Sequence, residues 1–316
     1  MNNSINEILN FFNKMSSFGK ILVLVFILLI VIILFQNVKP PSQDALTVFE
    51  GFEQNDKFLF KTGNDIYDKF YADVYDYLVF NNLKNDYEVG NIINKTTPNS
   101  TSVILDVGSG TGHHVAGMSS NGLDVLGIDI SPSMVKKAKE NYPDYKFKVG
   151  DVLNPTQFNS ETFTHIMCLY FTIYYLNDKQ QFFNNCMDWL MPGGYLIVHL
   201  VDEHKFDPII PPSNPLYIVS PQKYAKERIT TSKVTFNEFV YSSKFDVDQS
   251  KSVSKFTEKF KFNNGNVRKN EHTLHMESIE SVINKAKDAG FLVQGKIDLV
   301  KCAYEYQYLY IFVKPS

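Results

Sequence analysis

Residues 103–112 read Val-Ile-Leu-Asp-Val-Gly-Ser-Gly-Thr-Gly. An apolar, β-branched run closes on a carboxylate, Asp106, and then on glycines at 108, 110 and 112. A short apolar run that stops at glycines reads as a buried parallel strand. The glycines let the backbone turn tightly and approach a ligand closely. A helix beginning near Gly112 would turn its free N–H groups towards the same ligand. The next apolar run, 124–128, ends in Asp129, a carboxylate suited to accepting hydrogen bonds from both hydroxyls of a ribose. Ser131-Pro132-Ser133 follows, a hydroxyl cap with proline at the first helical position. The dinucleotide fingerprint places glycines at positions one, three and six. Counted from Gly108, position six is His113, so that cofactor class does not fit the spacing.

Other residues carry acid–base potential. A strand over 195–201 delivers His199, Asp202, Glu203 and His204 to one sheet edge, where a histidine beside a carboxylate can move protons. Tyrosines recur at 67, 71 and 75 on a helical face, and again at 170, 174 and 175 after the strand expected over 163–170. Cys168, Cys186 and Cys302 are widely spaced and odd in number. They form neither a metal-ligand pattern nor a disulfide framework, so no metal is expected.

Alternating strand and helix patterns must position these groups. Strands are expected over 103–107, 124–128, 145–149, 163–170, 195–201, 292–299 and 307–313. Between the fifth and sixth lies a different stretch, about 226–276. There Phe256, Phe260 and Phe262 alternate with Lys255, Thr257, Lys259 and Lys261, and Asn263-Asn264-Gly265-Asn266 marks a hairpin, giving an antiparallel insert of about three strands. A helix over 278–289 follows it.

The chain has 316 residues and a net charge of −3. A nearly balanced charge gives no global nucleic-acid footprint. Fifteen consecutive apolar residues fill 21–35, and with their flanks reach the roughly 17–25 residues of a spanning helix. The expected organisation is a tail over 1–20, a transmembrane anchor over 21–38, a proline-containing polar linker over 39–62, and a folded domain over 63–316. The lysines flanking the anchor weakly favour a domain outside the cytosol, whereas the absence of a disulfide framework favours a single-pass protein with a cytosolic domain.

The set of Asp106, three alternate glycines, Asp129 and Ser131-Pro132 resembles motif I and its sequel in the class I S-adenosylmethionine-dependent methyltransferases. The pattern Leu190-Met191-Pro192-Gly193-Gly194-Tyr195-Leu196 is similar to a second hallmark of that fold. The resemblance implies an α/β, doubly wound, Rossmann-like mixed sheet of strand order 3-2-1-4-5-7-6, with the antiparallel insert as a lid or homo-oligomer contact. It implies S-adenosyl-L-methionine as cofactor, bound by Asp106, Gly108, Gly110, Gly112, Asp129, Ile130, Asp151, Val152 and Leu169. Asp151 would take the adenine-binding position. Tyr67, Tyr71 and Tyr75 would close over the sulfonium, as in small-molecule N-methyltransferases with a β-rich insert. The segment after 170 lacks the Pro-Pro-aromatic and Pro-Cys motifs of base methyltransferases, so the acceptor is expected to be a small molecule, through nitrogen, rather than nucleic acid. The catalytic candidates are Tyr175, His199 and Tyr71. A phenol or lipid O-methyltransferase, or a membrane-tethered binding protein without turnover, stays open as an alternative.

Overall fold

The computed structural model describes residues 16, 19, 20, 23, 57–208, 225–248 and 252–316. The chain divides after Glu53, and the fold described is that of the second unit. The expected anchor over 21–38 lies almost wholly outside the described residues. No helix among the described residues is long and apolar enough to cross a membrane.

β1 (Phe58–Thr62) leads through a 3-10 turn, Gly63–Ile66, to α1 (Lys69–Val79) and α2 (Asn82–Thr96). Asp68 and Asn81 cap these helices by accepting from the N–H of Tyr71 and Lys84 at 3.1 and 3.0 Å. The nucleotide-binding half follows: β2 (Val103–Val107), α3 (His113–Ser119), β3 (Asp124–Asp129), α4 (Pro132–Asn141) and β4 (Lys146–Val149). Then come β5 (Phe163–Cys168), the single-turn α5 (Thr172–Tyr175), α6 (Lys179–Trp189) and β6 (Leu190–Val201). The insert is β7 (Thr231–Thr235), β8 (Phe239–Asp248), β9 (Val253–Phe262) and β10 (Val267–His275). α7 (Ile279–Asp288), β11 (Leu292–Asp298) and β12 (Gln307–Val313) close the domain.

The central sheet runs β11-β12-β6-β5-β2-β3-β4. Neighbours from β4 to β6 are parallel, while β12 is antiparallel to both β6 and β11. Counting β2 as the first core strand, this is the expected order 3-2-1-4-5-7-6. Successive residues face opposite layers: Leu105, Ile166 and Leu196 pack with Phe182, Phe183 and Trp189, whereas Ile104, Met167 and Ile197 pack with Ile92, Val115 and Met118. That two-sided burial is why these strands read as continuous apolar runs.

A second sheet has the order β1-β10-β9-β8-β7. Two expectations need correction here. The insert has four strands rather than three, and residues 58–62 are not linker but an edge strand parallel to β10, with Phe58 opposite Val267. The short alternating run Phe-Leu-Phe-Lys-Thr has no local partner, and its pairing residues lie about 200 positions away. The fourth core strand stops at Cys168 rather than running on to 170, because Tyr170 takes φ +51° and turns the chain into α5. Ile66, Tyr71 and Val74 from the N-terminal cap share a buried cluster with Phe239, Tyr241 and Phe260 from the insert. Cap and insert are thereby packed into one lid over the carboxyl edge of the central sheet.

Candidate active site

A cavity of about 580 Å³ opens between the carboxyl ends of β2, β3 and β5 and this lid, the edge where open α/β sheets bind ligands. Its floor is the turn after β2. Gly108 takes φ +66°, and a Cβ there would meet Thr172 Cγ2 at 2.5 Å; both the backbone and the close approach therefore require glycine. Asp129 stands at the tip of β3 and ties the turn down. One carboxylate oxygen accepts from the Gly110 N–H at 3.0 Å and the other from the Ser131 N–H at 2.8 Å. The Ser131 hydroxyl in turn donates to the Tyr67 carbonyl at 2.6 Å, joining this floor to the cap.

Asp106 lies one layer deeper, only 2% exposed, and its Oδ2 has no hydrogen-bond partner among the described residues. Burial pushes this carboxyl up to about 7; His114 works against the shift, and Asp129 and Glu88 add to it. Burial likewise raises the Asp129 carboxyl, against the pull of its two backbone hydrogen bonds. An unpaired, partly protonated carboxyl in a cavity wall is a site for a hydrogen-bond donor or a positive charge.

Most of the expected site residues come together. Asp106, Gly108, Gly110, Asp129, Ile130, Asp151, Val152, Leu169, Tyr71 and Tyr175 all line the cavity, as do Tyr67, Tyr75 and Tyr170. Gly112 does not. It caps α3 at φ +94°, and a Cβ would strike Phe147 at 2.7 Å, so it shapes the turn from behind. Tyr174 is fully buried and turned away, its hydroxyl accepting from the Val201 N–H at 2.8 Å. His199 also stays out of the cavity. It is fully buried on β6, its Nδ1 donates to the Tyr170 carbonyl, and burial lowers its pKa to about 4, so it is neutral near pH 7 and supports the β5–α5 turn. His204 sits in the turn after β6, its side chain 57% exposed beside Glu203.

Two buried polar groups bordering the cavity escaped the sequence reading. On α2, Lys84 Nζ meets Glu88 Oε1 at 2.6 Å, and Glu88 Oε2 meets Nε2 of the cavity-lining His114 at 2.9 Å. Burial opposes ionisation of Glu88, but Lys84 and His114 outweigh it and bring its pKa down to about 2. In the lid, the Tyr175 hydroxyl meets His272 Nδ1 at 2.9 Å, and His272 Nε2 meets Glu258 Oε2 at 2.8 Å. Tyr241 and Asn270 also donate to Glu258, at 2.9 and 3.1 Å. Arg268 extends the group through Asn270 and pins Asp68 with two contacts of 2.9 and 2.8 Å. The signal was present as period two. Phe256, Glu258 and Phe260 share one parity on β9, and Arg268, Asn270, His272 and Leu274 share one on β10. A polar residue at an inward position of a half-buried strand needs a buried partner.

Residues 105–198 match the family model described as a methyltransferase domain. Over these residues the chain carries a methyltransferase domain, built on a Rossmann-like sheet. Two curated relatives are sugar-amine enzymes. One, from Streptomyces venezuelae, is dTDP-3-amino-3,4,6-trideoxy-alpha-D-glucopyranose N,N-dimethyltransferase, 26% identical over 42% of this chain and 58% of its own. The other, from Saccharopolyspora spinosa, is dTDP-4-amino-2,3,4,6-tetradeoxy-D-glucose N,N-dimethyltransferase, 28% identical over 44% of this chain and 57% of its own. The chain thus spans little more than half the length of these relatives. A solved S-adenosylmethionine-dependent methyltransferase from Clostridium acetobutylicum shares the fold, with a TM-score of 0.59 at 15% identity over 78% of this chain and 98% of that one.

The methyltransferase cofactor is S-adenosylmethionine, and the residues present fit it. Asp129, its orientation set by two backbone donors, would accept from the ribose hydroxyls. The unpartnered Asp106 Oδ2 suits the amino-acid ammonium. Asp151 stands beyond the tip of β4 in the cavity lining, its Oδ1 accepting from the Leu153 N–H at 2.9 Å, and would be the acceptor for the adenine amine.

Proposed function

We propose that the chain methylates a nitrogen of a small amine enclosed beneath the lid. The observation that carries this reading is the cavity lining. Tyr67, Tyr71, Tyr75, Tyr170 and Tyr175 wall it, and its described lining contains no lysine or arginine, while Asp106, Asp129 and Asp151 are the carboxyl groups read above for the cofactor. Aromatic faces favour a cation, each ring contributing roughly 0.5–2 kcal/mol when desolvated. The two sugar-amine relatives point to the same acceptor chemistry.

Bound S-adenosylmethionine supplies an electrophilic methyl group. The protein's own residues do the rest by position. Asp129 and the Gly108–Gly110 turn fix the cofactor side, and Asp106 offsets positive charge. Tyr67, Tyr71 and Tyr75 exclude water from the acceptor side. The apolar stretch over 21–38 supports a membrane tether for this domain, checked by whether the full chain stays in the membrane pellet after an alkaline wash.

The test of the acceptor is a screen of the full chain with methyl-labelled cofactor, setting amines and amino sugars against phenols, lipids, tRNA and protein extract. Labelled small amines are expected. Labelling of RNA or protein alone, or of phenols but no amine, overturns the reading.

A further inference from the structure

The lid holds a chain of polar groups that cofactor binding does not require: Tyr175, His272 and Glu258, in line and at hydrogen-bond distance. Building on the amine reading, we infer that this chain takes the proton from an acceptor that enters as an ammonium ion, with Tyr175 touching the acceptor and His272 storing the proton.

The hydrogen bonds set the direction. Glu258 is 1% exposed and accepts from Tyr241, Asn270 and His272. Burial works to raise its carboxyl pKa, yet these bonds outweigh burial and hold it below the usual range. A carboxylate so held keeps the His272 proton on Nε2 and leaves Nδ1 as an acceptor. The Tyr175 hydroxyl donates to that nitrogen, its oxygen accepts from the Tyr67 hydroxyl and keeps a second lone pair, and the residue, 37% exposed, lines the cavity. The groups facing His272 are Glu258 from β9, Tyr175 from α5, and Tyr67 and Tyr71 from the cap, with Tyr241 of β8 on the far side of Glu258. Asp129 acts at longer range on Tyr67 and Tyr75. Arg268, four residues along β10, is paired with Asp68. Burial, first among several effects, pushes the Tyr67, Tyr71 and Tyr241 phenols far above their ordinary value, and it raises Tyr175 as well, so none of them acts as a phenolate; Tyr175 differs in its hydrogen bond to His272, through which it can pass one proton on as it takes another.

The step balances without a co-reactant. An acceptor N–H bond breaks and its proton goes to the Tyr175 oxygen, while the Tyr175 proton passes to His272 Nδ1. The acceptor is left as a neutral amine with a free lone pair, and the imidazolium faces the Glu258 carboxylate as a neutral pair. Tyr175 ends as it began. Water takes the proton from His272 when the lid opens.

Two measurements on the purified full chain test this. The first is nitrogen NMR of ¹⁵N-histidine-labelled protein, with and without S-adenosylhomocysteine. The expected His272 tautomer carries its proton on Nε2, with Nδ1 as the acceptor from Tyr175; a tautomer with the proton on Nδ1 overturns the inference. The second is methyl transfer to 3-amino-3-deoxyglucose and tyramine across pH 6–9.5. His272→Gln is expected to lower kcat by about 10²-fold near neutral pH, with the deficit shrinking as the amine becomes neutral in solution. Glu258→Gln should show the same trend more weakly, and calorimetry with S-adenosylhomocysteine should give an unchanged Kd for both. An equal loss at every pH marks a packing role only and overturns the inference. No transfer to either amine by the wild type counts against the amine reading instead, and the tautomer then decides the relay by itself.

Discussion

The floor and the lid of this cavity are built in opposite ways. In the floor, the groups that meet are near in sequence: Asp129 holds Gly110, 19 residues away, and Ser131, two residues away. The lid adds remote pairs to the hairpin contacts of Glu258: Tyr175 of α5 meets His272 across 97 residues, and Asp68 of the cap meets Arg268 of the insert across 200. The floor is mostly backbone, shaped by glycines and strand ends. The lid is mostly side chain, and its contacts exist only after β10 has found its register on β9. The floor therefore sets what is bound, and the lid decides how tightly the domain closes on it. Substitutions in the two regions should have separable consequences.

The largest effect is expected in the lid. Glu258→Ala removes the one carboxylate shared by His272, Asn270 and Tyr241, leaving three buried donors unanswered. Breaking a buried pair in this way costs roughly 3–5 kcal/mol. For a domain of this size that lowers Tm by about 6–20 °C, read by thermal unfolding without cofactor. Glu258→Gln keeps the volume and part of the bonding and should lose less than half as much. A shift below about 2 °C for Glu258→Ala would show that water replaces the carboxylate and that the lid is looser than its contacts suggest.

Asp129→Ala should act mainly on affinity. It removes the carboxylate that would accept from the ribose hydroxyls, and a charge-assisted bond contributes about 1.5–3 kcal/mol. The Kd for S-adenosylhomocysteine by calorimetry should rise about 10- to 150-fold, with a Tm change smaller than that of Glu258→Ala. If Glu258→Ala weakened the cofactor as strongly as Asp129→Ala, floor and lid would be one cooperative unit.

The same contrast explains what could be read from the sequence. The central sheet, its strand order and nearly all of the floor were legible, because each strand is buried on both faces and each turn announces itself through glycine, proline or a capping hydroxyl. Gly112 was assigned to the ligand because the spacing of the glycines is regular; only the φ of +94° and the Phe147 ring behind it show that it faces the other way. His199 sits beside carboxylates in sequence, yet strand alternation turns it beneath Tyr170 and away from the cavity. Tyr174 and Tyr175 are neighbours, and a single helical turn sends one to β6 and the other to His272. β1 was taken for linker because an edge strand needs little hydrophobicity, and its partner is distant. Glu258 and His272 were hidden because a lone charge amid lysines and phenylalanines looks like surface until the parity of the strand is followed.

The smallest effect, and the sharpest probe of the floor, is the pH dependence of cofactor affinity. In the free protein burial raises the Asp106 carboxyl to about 7, well above its ordinary value near 4. A carboxyl raised in the folded state binds its proton more tightly there than in the unfolded chain. The free fold therefore loses stability as pH climbs from about 4 to about 7, the reverse of a salt-bridged aspartate. A positive charge placed against Asp106 Oδ2 pulls the pKa back down, so binding expels a proton over this range. Affinity for S-adenosylmethionine should then rise with pH, by up to about tenfold per unit below 7, and level off above it. Asp129, also raised by burial, pushes in the same direction. Asp106→Asn separates the two: it should weaken binding at pH 8 and flatten most of the slope. Calorimetry in two buffers of different ionisation heat reads the released proton directly, close to one per cofactor at pH 6 and falling as the pH passes 7, before the cofactor's own ammonium titrates at about 8. A wild-type affinity that does not change from pH 5.5 to 8 would mean that Asp106 is already ionised or does not face the cation. The oriented carboxylate of Asp129 would then be the floor's main polar grip on the cofactor.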